Sequence, residues 1–423
     1  MKNIFIKNKI TVFIFFNIFF AIFYLFLKHN VGNDTSISEW LINYKGGFTR
    51  RGFGGLITFP ISNYFSIPLR ESIFYIQSFL HCSYLILFLF YMRNFVLNIF
   101  QIFTLFSPLF LLYPIAEIES LGRKEILLLL FFVSSLLLSE KKFSPKILNY
   151  KVFILFPILC LVWEEVILFS PFLAVVLVIK NNLENFKKSF FFLLIIFFPT
   201  IVTTLFIFSN PLSLEGHKIM CDFLQNEYGE RCYMSAVLLV QNTIYFDTLH
   251  IHDNAKFFPD YFRYLLIFLV GFSFLHILLL NNKFLDKRNF ITKNFKPIYL
   301  FILLYLPVIL LFIFGLDWGR WIHILYSLSA LLYFYLLKND LISNKFEIQN
   351  TIWEKIFEKK IILIFVFYIF AFFWNPKTVI TGDIATNTLY KIVYNSSKKI
   401  FNYDGIRLFQ DNPLIKFHKK YIE

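Results

Sequence analysis

Apolar runs separated by short polar stretches fill most of the chain. They cover residues 10–27, 73–92, 95–115, 126–138, 152–162, 166–179, 190–208, 264–280, 297–316, 322–337 and 361–374. Most approach the ~20 residues an α-helix needs to cross hydrocarbon. The pattern predicts an all-α polytopic membrane protein with about eleven transmembrane or half-spanning helices. The first outer loop, 28–72, is expected to carry two interfacial helices, near 37–44 and 65–73. Residues 1–374 form the transmembrane domain, with further outer loops at 116–125 and 209–262, and 375–423 form an external tail.

Sidedness follows from the basic residues. Lys141, Lys142, Lys146 and Lys151 form one basic stretch, Lys180, Lys187 and Lys188 a second, and Lys283, Lys287, Arg288, Lys293 and Lys296 a third. A fourth holds Lys338, Lys345, Lys355, Lys359 and Lys360. Counting crossings puts all four on the side of the N-terminus, which the positive-inside rule assigns to the cytoplasm. Lys2, Lys7 and Lys9 precede the first run like the start of a signal peptide, but no small-x-small cleavage site follows. That run therefore reads as an uncleaved span. The segment 152–179 lies between two basic stretches, so it must go out and return. Each of its arms is short, which predicts a half-spanning hairpin with Glu164 and Glu165 at the turn.

Composition sharpens this picture. The 423 residues are 58% hydrophobic and 16% charged, with a mean hydropathy of +0.64, too apolar for a soluble fold. The net charge of +14 would suggest nucleic acid in a soluble protein. Here the basic loops account for it, so no nucleic-acid partner is expected. Dinucleotide fingerprints, phosphate-binding P-loops and zinc-ligand spacings are absent, and no cofactor is expected. No internal repeat of the transporter kind is visible.

The candidate chemistry falls on the outer side. The stretch WLINYKGGFTRRGFGG, residues 40–55, sets Arg50 and Arg51 among five glycines. Glycine permits close backbone approach, and guanidinium offers a planar fork matched to phosphate oxygens. Trp40, Tyr44, Phe48 and Phe53 suit the headgroup level. The stretch fits a surface holding a phosphate whose tail stays in lipid, or else a loop touching headgroups. Arg123 and Glu119 are four apart, as a helical pair would be, with Lys124 and Glu125 adjacent and Glu117 nearby. Lys124 reads as a snorkelling anchor. Glu164 and Glu165 interrupt apolar sequence, where a carboxylate is expensive and by default functional or paired. Adjacent helical positions diverge, so one should face a cavity while the other pairs elsewhere. Burial suits either to general acid or base work. Asp317, Arg320 and His323 share a helix face by spacing. There Asp317 can orient Arg320 for phosphate or sugar, or form a structural bridge, and His323 is placed one turn on.

The cysteines and remaining histidines suggest structure before chemistry. Cys221 and Cys232 fit a structural disulfide in an oxidising compartment, whereas Cys82 and Cys160 read as packing residues. His217, His250, His252 and Asp253 share the long outer loop but make a weak metal pattern, and no metal is expected.

The strings NYKGGFTRRGFGG, GRKE, WEE and DWGRW resemble bacterial polysaccharide repeat-unit polymerases of the O-antigen and capsule type, in the wider layout of polytopic glycosyltransferases with polyprenyl-linked donors. The resemblance implies a metal-independent glycosyltransferase in the cytoplasmic membrane, active on its outer face. It implies undecaprenyl-diphosphate-linked oligosaccharide as donor and acceptor, and chain-length regulator and flippase proteins as partners. On that reading Arg50, Arg51, Arg123 and Arg320 would hold diphosphate or sugar; from their own placement and chemistry Glu119, Glu125 and His323 are further candidates for substrate binding, and Glu164, Glu165 and Asp317 for catalysis. Asp34 and Glu39 occupy the first-loop acid region without a clear motif around them. A transferase adding one sugar from a polyprenyl-phosphate donor, and a lipid-linked oligosaccharide flippase or transporter, are the competing readings.

Overall fold

The computed structural model describes residues 2–30, 35–93, 95–232, 258–315, 317–343, 359–378 and 387–401. Helices account for nearly all regular structure among them. In chain order they are α1 (Lys2–Lys28), α2 (Thr35–Leu41), α3 (Phe53–Phe65), α4 (Leu69–Met92), α5 (Ile99–Leu105), α6 (Tyr113–Ala116), α7 (Glu125–Leu138) and α8 (Pro145–Val162). A 3₁₀ turn, Glu164–Phe169, leads into α9 (Ser170–Lys180). Then come α10 (Phe186–Ser209), α11 (Leu214–Tyr228), α12 (Phe258–Leu280), α13 (Phe290–Asn294), α14 (Pro297–Phe314), α15 (Trp318–Lys338), α16 (Lys360–Phe372) and α17 (Thr388–Phe401). Six of these are long and apolar enough to cross a membrane, and α7, α14 and α16 are shorter apolar helices. The protein is a polytopic all-α membrane protein.

Helix α15 is its hub. Every residue from Trp318 to Leu337 is buried, and at Gly319 a Cβ would meet the Lys377 carbonyl at 1.9 Å, so a neighbouring backbone closes directly on the helix there. The outer helices instead turn apolar side chains outward, among them Phe19, Phe79, Leu205 and Ile361. In water such a surface would be prohibitive; in a bilayer it is the lipid-facing wall.

The run 95–115 is not one continuous helix. Asn98 caps α5 with a reciprocal capping box to Gln101, and the chain breaks into turns after Leu105, before Pro108. The broken path still follows α15 from end to end. Phe95 packs on Phe334, Gln101 donates to the Tyr333 hydroxyl, the Tyr326 hydroxyl donates to the Thr104 carbonyl, and His323 Nδ1 bonds the Leu109 carbonyl. Irregular backbone is tolerated at this depth because protein covers it.

Two other expectations change. The second interfacial helix is α3, twelve residues earlier than expected at its start, followed directly by α4 behind Pro68. The hairpin arms are longer than the apolar runs. Ser144 caps α8 well before residue 152, giving 18 residues, so Lys146 and Lys151 belong to the helix and not to the loop. Lys151 folds its ammonium onto the Phe131 carbonyl and the hydroxyls of Ser134 and Ser135, which lets an apolar helix carry it.

The basic segments gather at one end of the bundle. There Lys338 donates to the Tyr91 carbonyl and Glu140, Lys180 to the Glu140 carbonyl, and Asn149 and Asn181 exchange hydrogen bonds. The arginine-rich motifs gather at the other end.

Candidate functional site

The chain reaches that end after Leu41 through a series of tight turns. Asn43 accepts from the Lys45 amide and Gly47 takes φ 112°, open to glycine but not to most residues. A side chain at Gly55 would meet the Ile42 carbonyl at 2.7 Å, so α3 packs directly against the preceding turn. Between them Arg51 takes φ 64°, a left-handed conformation that costs of order 1–3 kcal/mol in a non-glycine residue. Both ends of Arg51 are held. Lys124 Nζ donates to its carbonyl at 2.9 Å. Its Nε and Nη2 donate to Glu164 at 2.9 and 3.0 Å, and Nη2 also reaches Glu165 at 2.9 Å. Arg50 Nη1 lies 3.4 Å from the same Glu164.

The two glutamates therefore share one arginine, where one had been expected to pair elsewhere. They do so because residues 164–169 form a 3₁₀ turn, tighter than the α-helix assumed. Their environments differ. Glu164 is 3% exposed and Glu165 25%. Burial pushes against ionisation of Glu164, but Arg51 and Arg50 overcome it and hold the carboxyl near 2. Burial raises Glu165 to about 7, against the pull of Arg51 and with the push of Glu164, Asp317 and Glu39. Arg51, despite burial, is held more firmly charged by both glutamates.

A second buried pair stands beside the first. Arg123 Nη1 binds Glu39 of α2, while its Nε donates to the backbone carbonyl of Glu119 at 3.0 Å. The expected Glu119–Arg123 side-chain pair is thus not formed. Residues 117–122 are turns and not helix, and Glu119 itself is exposed. Gly122, at φ 83°, supplies the turn, and its carbonyl accepts from Trp40 Nε1 and Gln77 Nε2. Burial works against the charge on Glu39, but Arg123, Arg320, Arg51 and Lys124 bring it to about 2.

Lys124 does not snorkel. It is 2% exposed, beside the Trp40 ring, and burial lowers it to about 7 with Arg51 adding to the shift. Its space exists because Gly54 has no side chain; a Cβ there would stand 3.0 Å from Nζ.

The third group sits at the start of α15. Arg320 binds both Asp317 and Glu125. Burial raises Asp317 to about 6, against Arg123 and with Glu39. His323 turns inward, stacked on Tyr113 at 4.8 Å and bonded to the Leu109 carbonyl at 2.8 Å. It braces the broken segment and does not face the arginine loop. Behind it lies a cavity of about 30 Å³ bordered by His81, Tyr84, Ser120, Glu125, Arg320 and His323, room for a water or two.

Arg50, Arg51, Arg123, Arg320, Glu125, Glu164, Glu165 and Asp317 thus occupy one end of the bundle as a linked set. Glu39 and Lys124 join them, although Glu39 had no motif to mark it and Lys124 looked like an anchor. Glu117 is drawn away to Lys377 and Lys391 of the tail. Cys221 and Cys232 form the expected disulfide, which withdraws them from the metal-like grouping with His217. Cys160 is buried and Cys82 half-buried. His250, His252, Asp253 and Asp34 lie outside the described residues.

The fold and site define a polytopic membrane protein with a cluster of guanidinium and carboxyl groups at one end. Comparison with protein-family models, with curated proteins and with solved structures gives no match.

Proposed function

We propose that the protein is a membrane glycosyltransferase that polymerises undecaprenyl-diphosphate-linked oligosaccharide repeat units on the outer face of the bacterial cytoplasmic membrane. The observation that carries this reading is Arg51, gripped by Glu164 and Glu165 at the end of the bundle away from the basic segments. In this reading the N-terminus is cytoplasmic. The chain crosses about eleven times, counting the interrupted segment beside α15 and both arms of the glutamate turn.

The reaction needs two things. Negative charge grows on the departing diphosphate, and the acceptor hydroxyl must lose a proton. Arg50 and Arg51 supply positive charge at a site with 17% and 19% side-chain exposure. Glu165 is the more open of the two acids and suits the base, while Glu164 positions Arg51. The acceptor oxygen attacks the anomeric carbon, and its proton passes to the Glu165 carboxylate. The bond from that carbon to the diphosphate breaks, and its electron pair leaves with the diphosphate against the guanidinium groups. Arg123 and Arg320, already bound to Glu39, Asp317 and Glu125, line the glycan side. Chain-length regulator and flippase proteins fit as partners of such an enzyme.

The test is deletion of the gene followed by electrophoresis of the surface glycan. Loss of the ladder with one complete repeat unit retained is expected. A truncated unit would mean a single-sugar transferase, and lipid-linked units trapped on the inner leaflet would mean a flippase.

A further inference from the structure

Helix α11 lies against the turn that precedes Arg50. At Gly46 and Gly216 the two backbones touch. A Cβ on Gly46 would stand 1.7 Å from the Gly216 carbonyl oxygen, and one on Gly216 would stand 2.3 Å from the Gly46 oxygen. Neither position has room for a side chain without parting the two segments. The crossing is carried onward by Tyr44. Its ring stacks on Phe48 at 5.7 Å and fills the space beside Gly52, where a Cβ would meet the ring at 2.3 Å. Gly52 is next to Arg51, so the position of α11 is transmitted to the arginine loop in two packed steps.

Three further contacts fix α11. The disulfide ties Cys221 on the helix to Cys232 beyond its end. Glu230, inside that covalent ring, binds Arg70 of α4 through both oxygens at 2.5 and 2.8 Å. Phe223 and Tyr228 pack on Phe59 of α3, and the Tyr228 hydroxyl donates to Asn63. Cys221 and Cys232 pack against the small buried cluster of Ile42, Leu212 and Met220, which includes a residue of the turn itself.

We infer that α11 and its disulfide are a clamp that positions the Arg50–Arg51 loop, with Gly216 as its positioning residue. The inference rests on reading that loop as the phosphate-holding part of the site. It makes the site's geometry depend on an oxidising compartment. Without the disulfide, the segment that carries Glu230 is joined to the helix only through the main chain at its end and is no longer tied back to Cys221, and the glycine crossing loses that backing.

The test uses the full-length protein in nanodiscs. A water-soluble phosphine cleaves the disulfide. Phosphorus gives two electrons, water gives two protons to the sulfurs, and its oxygen ends on the phosphine oxide. Backbone hydrogen exchange is then followed in residues 44–52 and, as an internal reference, in 322–336. Exchange in 44–52 should rise about tenfold with the reference unchanged, and Gly216→Ala should do the same with the disulfide intact. Leu214→Ala, an exposed position on the same helix, should leave exchange unaltered. Unchanged exchange in 44–52 after complete reduction, or in a folded Gly216→Ala protein, overturns the clamp. If Gly216→Ala does not accumulate, the phosphine arm decides alone, because it acts on folded protein. The readout needs no glycan, so the two ideas separate. A faster loop with an undisturbed ladder keeps the clamp and rejects the phosphate role, whereas an unmoved loop rejects the clamp whatever the ladder does.

Discussion

Arg51 and Glu164 stand 113 positions apart in sequence, yet the Arg51 Nε and Nη2 groups meet the Glu164 carboxylate side-on. The arginine that makes this contact is also one of four non-glycine residues with positive φ among the described residues. A strained backbone beneath a two-pronged ion pair is the arrangement expected where an arginine must be aimed and not merely buried. Arg51→Ala should therefore cut polymer formation by about 10²–10³ or more, the cost of removing one preorganised charge-stabilising donor. Arg51→Lys should recover little of it, because an ammonium cannot span both glutamates. Membrane extraction and immunoblotting should find both variants in normal amounts. Wild-type polymer length in the alanine variant would reject the phosphate role.

Glu164 and Glu165 should separate in their pH behaviour. With Glu165 raised to about 7 by burial, a base at this position is protonated in acid, so the wild-type rate should climb about tenfold per pH unit below 7 and level off above it. Glu165→Gln should lose most activity together with that slope. Glu164→Gln should weaken the grip on Arg51 while leaving the slope in whatever activity survives. The check is rate against pH for the three proteins; two fully active variants would remove both acids from the mechanism.

Much of this was legible in the sequence. Apolar run length and the basic loops predicted a polytopic helical bundle with the motifs at one end. What could not be read is which acid meets which base. Glu119 and Arg123 carry ideal helical spacing, but Gly122 and the turns around it deny them a helix. Glu39 lies in an unremarkable short segment and is recruited by Arg123 only through tertiary packing. Lys124 reads as a snorkelling lysine because nothing local reveals that Gly54 leaves it a slot. The run 95–115 looks continuous because hydropathy does not register that Asn98 and Pro108 divide it, or that α15 shelters the break.

The Glu39–Arg123 pair makes a stability prediction with a defined sign. Both side chains are buried, so Glu39→Gln or Arg123→Gln alone strands a charge and should cost about 3–5 kcal/mol. The double variant should cost less than the sum of the two. Acid should reveal the same pair. Glu39 and Glu164 sit near 2 in the folded protein against an ordinary 4.5. Their stabilisation is fully present above 4.5 and is lost as pH falls through 2. Glu165 has the opposite sign: its contribution is complete below 4.5 and fades as pH rises through about 7. Thermal unfolding in detergent from pH 2 to 8 should therefore show a steep acid limb that shrinks in Glu39→Gln.

The sidedness of the whole molecule rests on α7, which joins the arginine-rich end to the basic end with only 14 residues. That is less than the ~20 usually needed to cross hydrocarbon. The turn before it, buried from Leu121 to Lys124, extends the path on the arginine-rich side, whereas the turn after it carries exposed Lys141, Lys142 and Ser144. Ser120 lies in the turn before α7, with its hydroxyl on the Glu117 carbonyl, and Ser144 caps α8 after it. Both are partly exposed, so cysteine at either position can be reached by a water-borne reagent. The background should carry Cys82→Ala and Cys160→Ala, which leaves the Cys221–Cys232 bridge inert to maleimide. A membrane-impermeant maleimide should then label Ser120→Cys on intact spheroplasts and label Ser144→Cys only after permeabilisation. Labelling of both from one side would place the arginine cluster and the basic loops on the same face of the membrane. The parity of the crossings, and with it an externally exposed site, would then fail together.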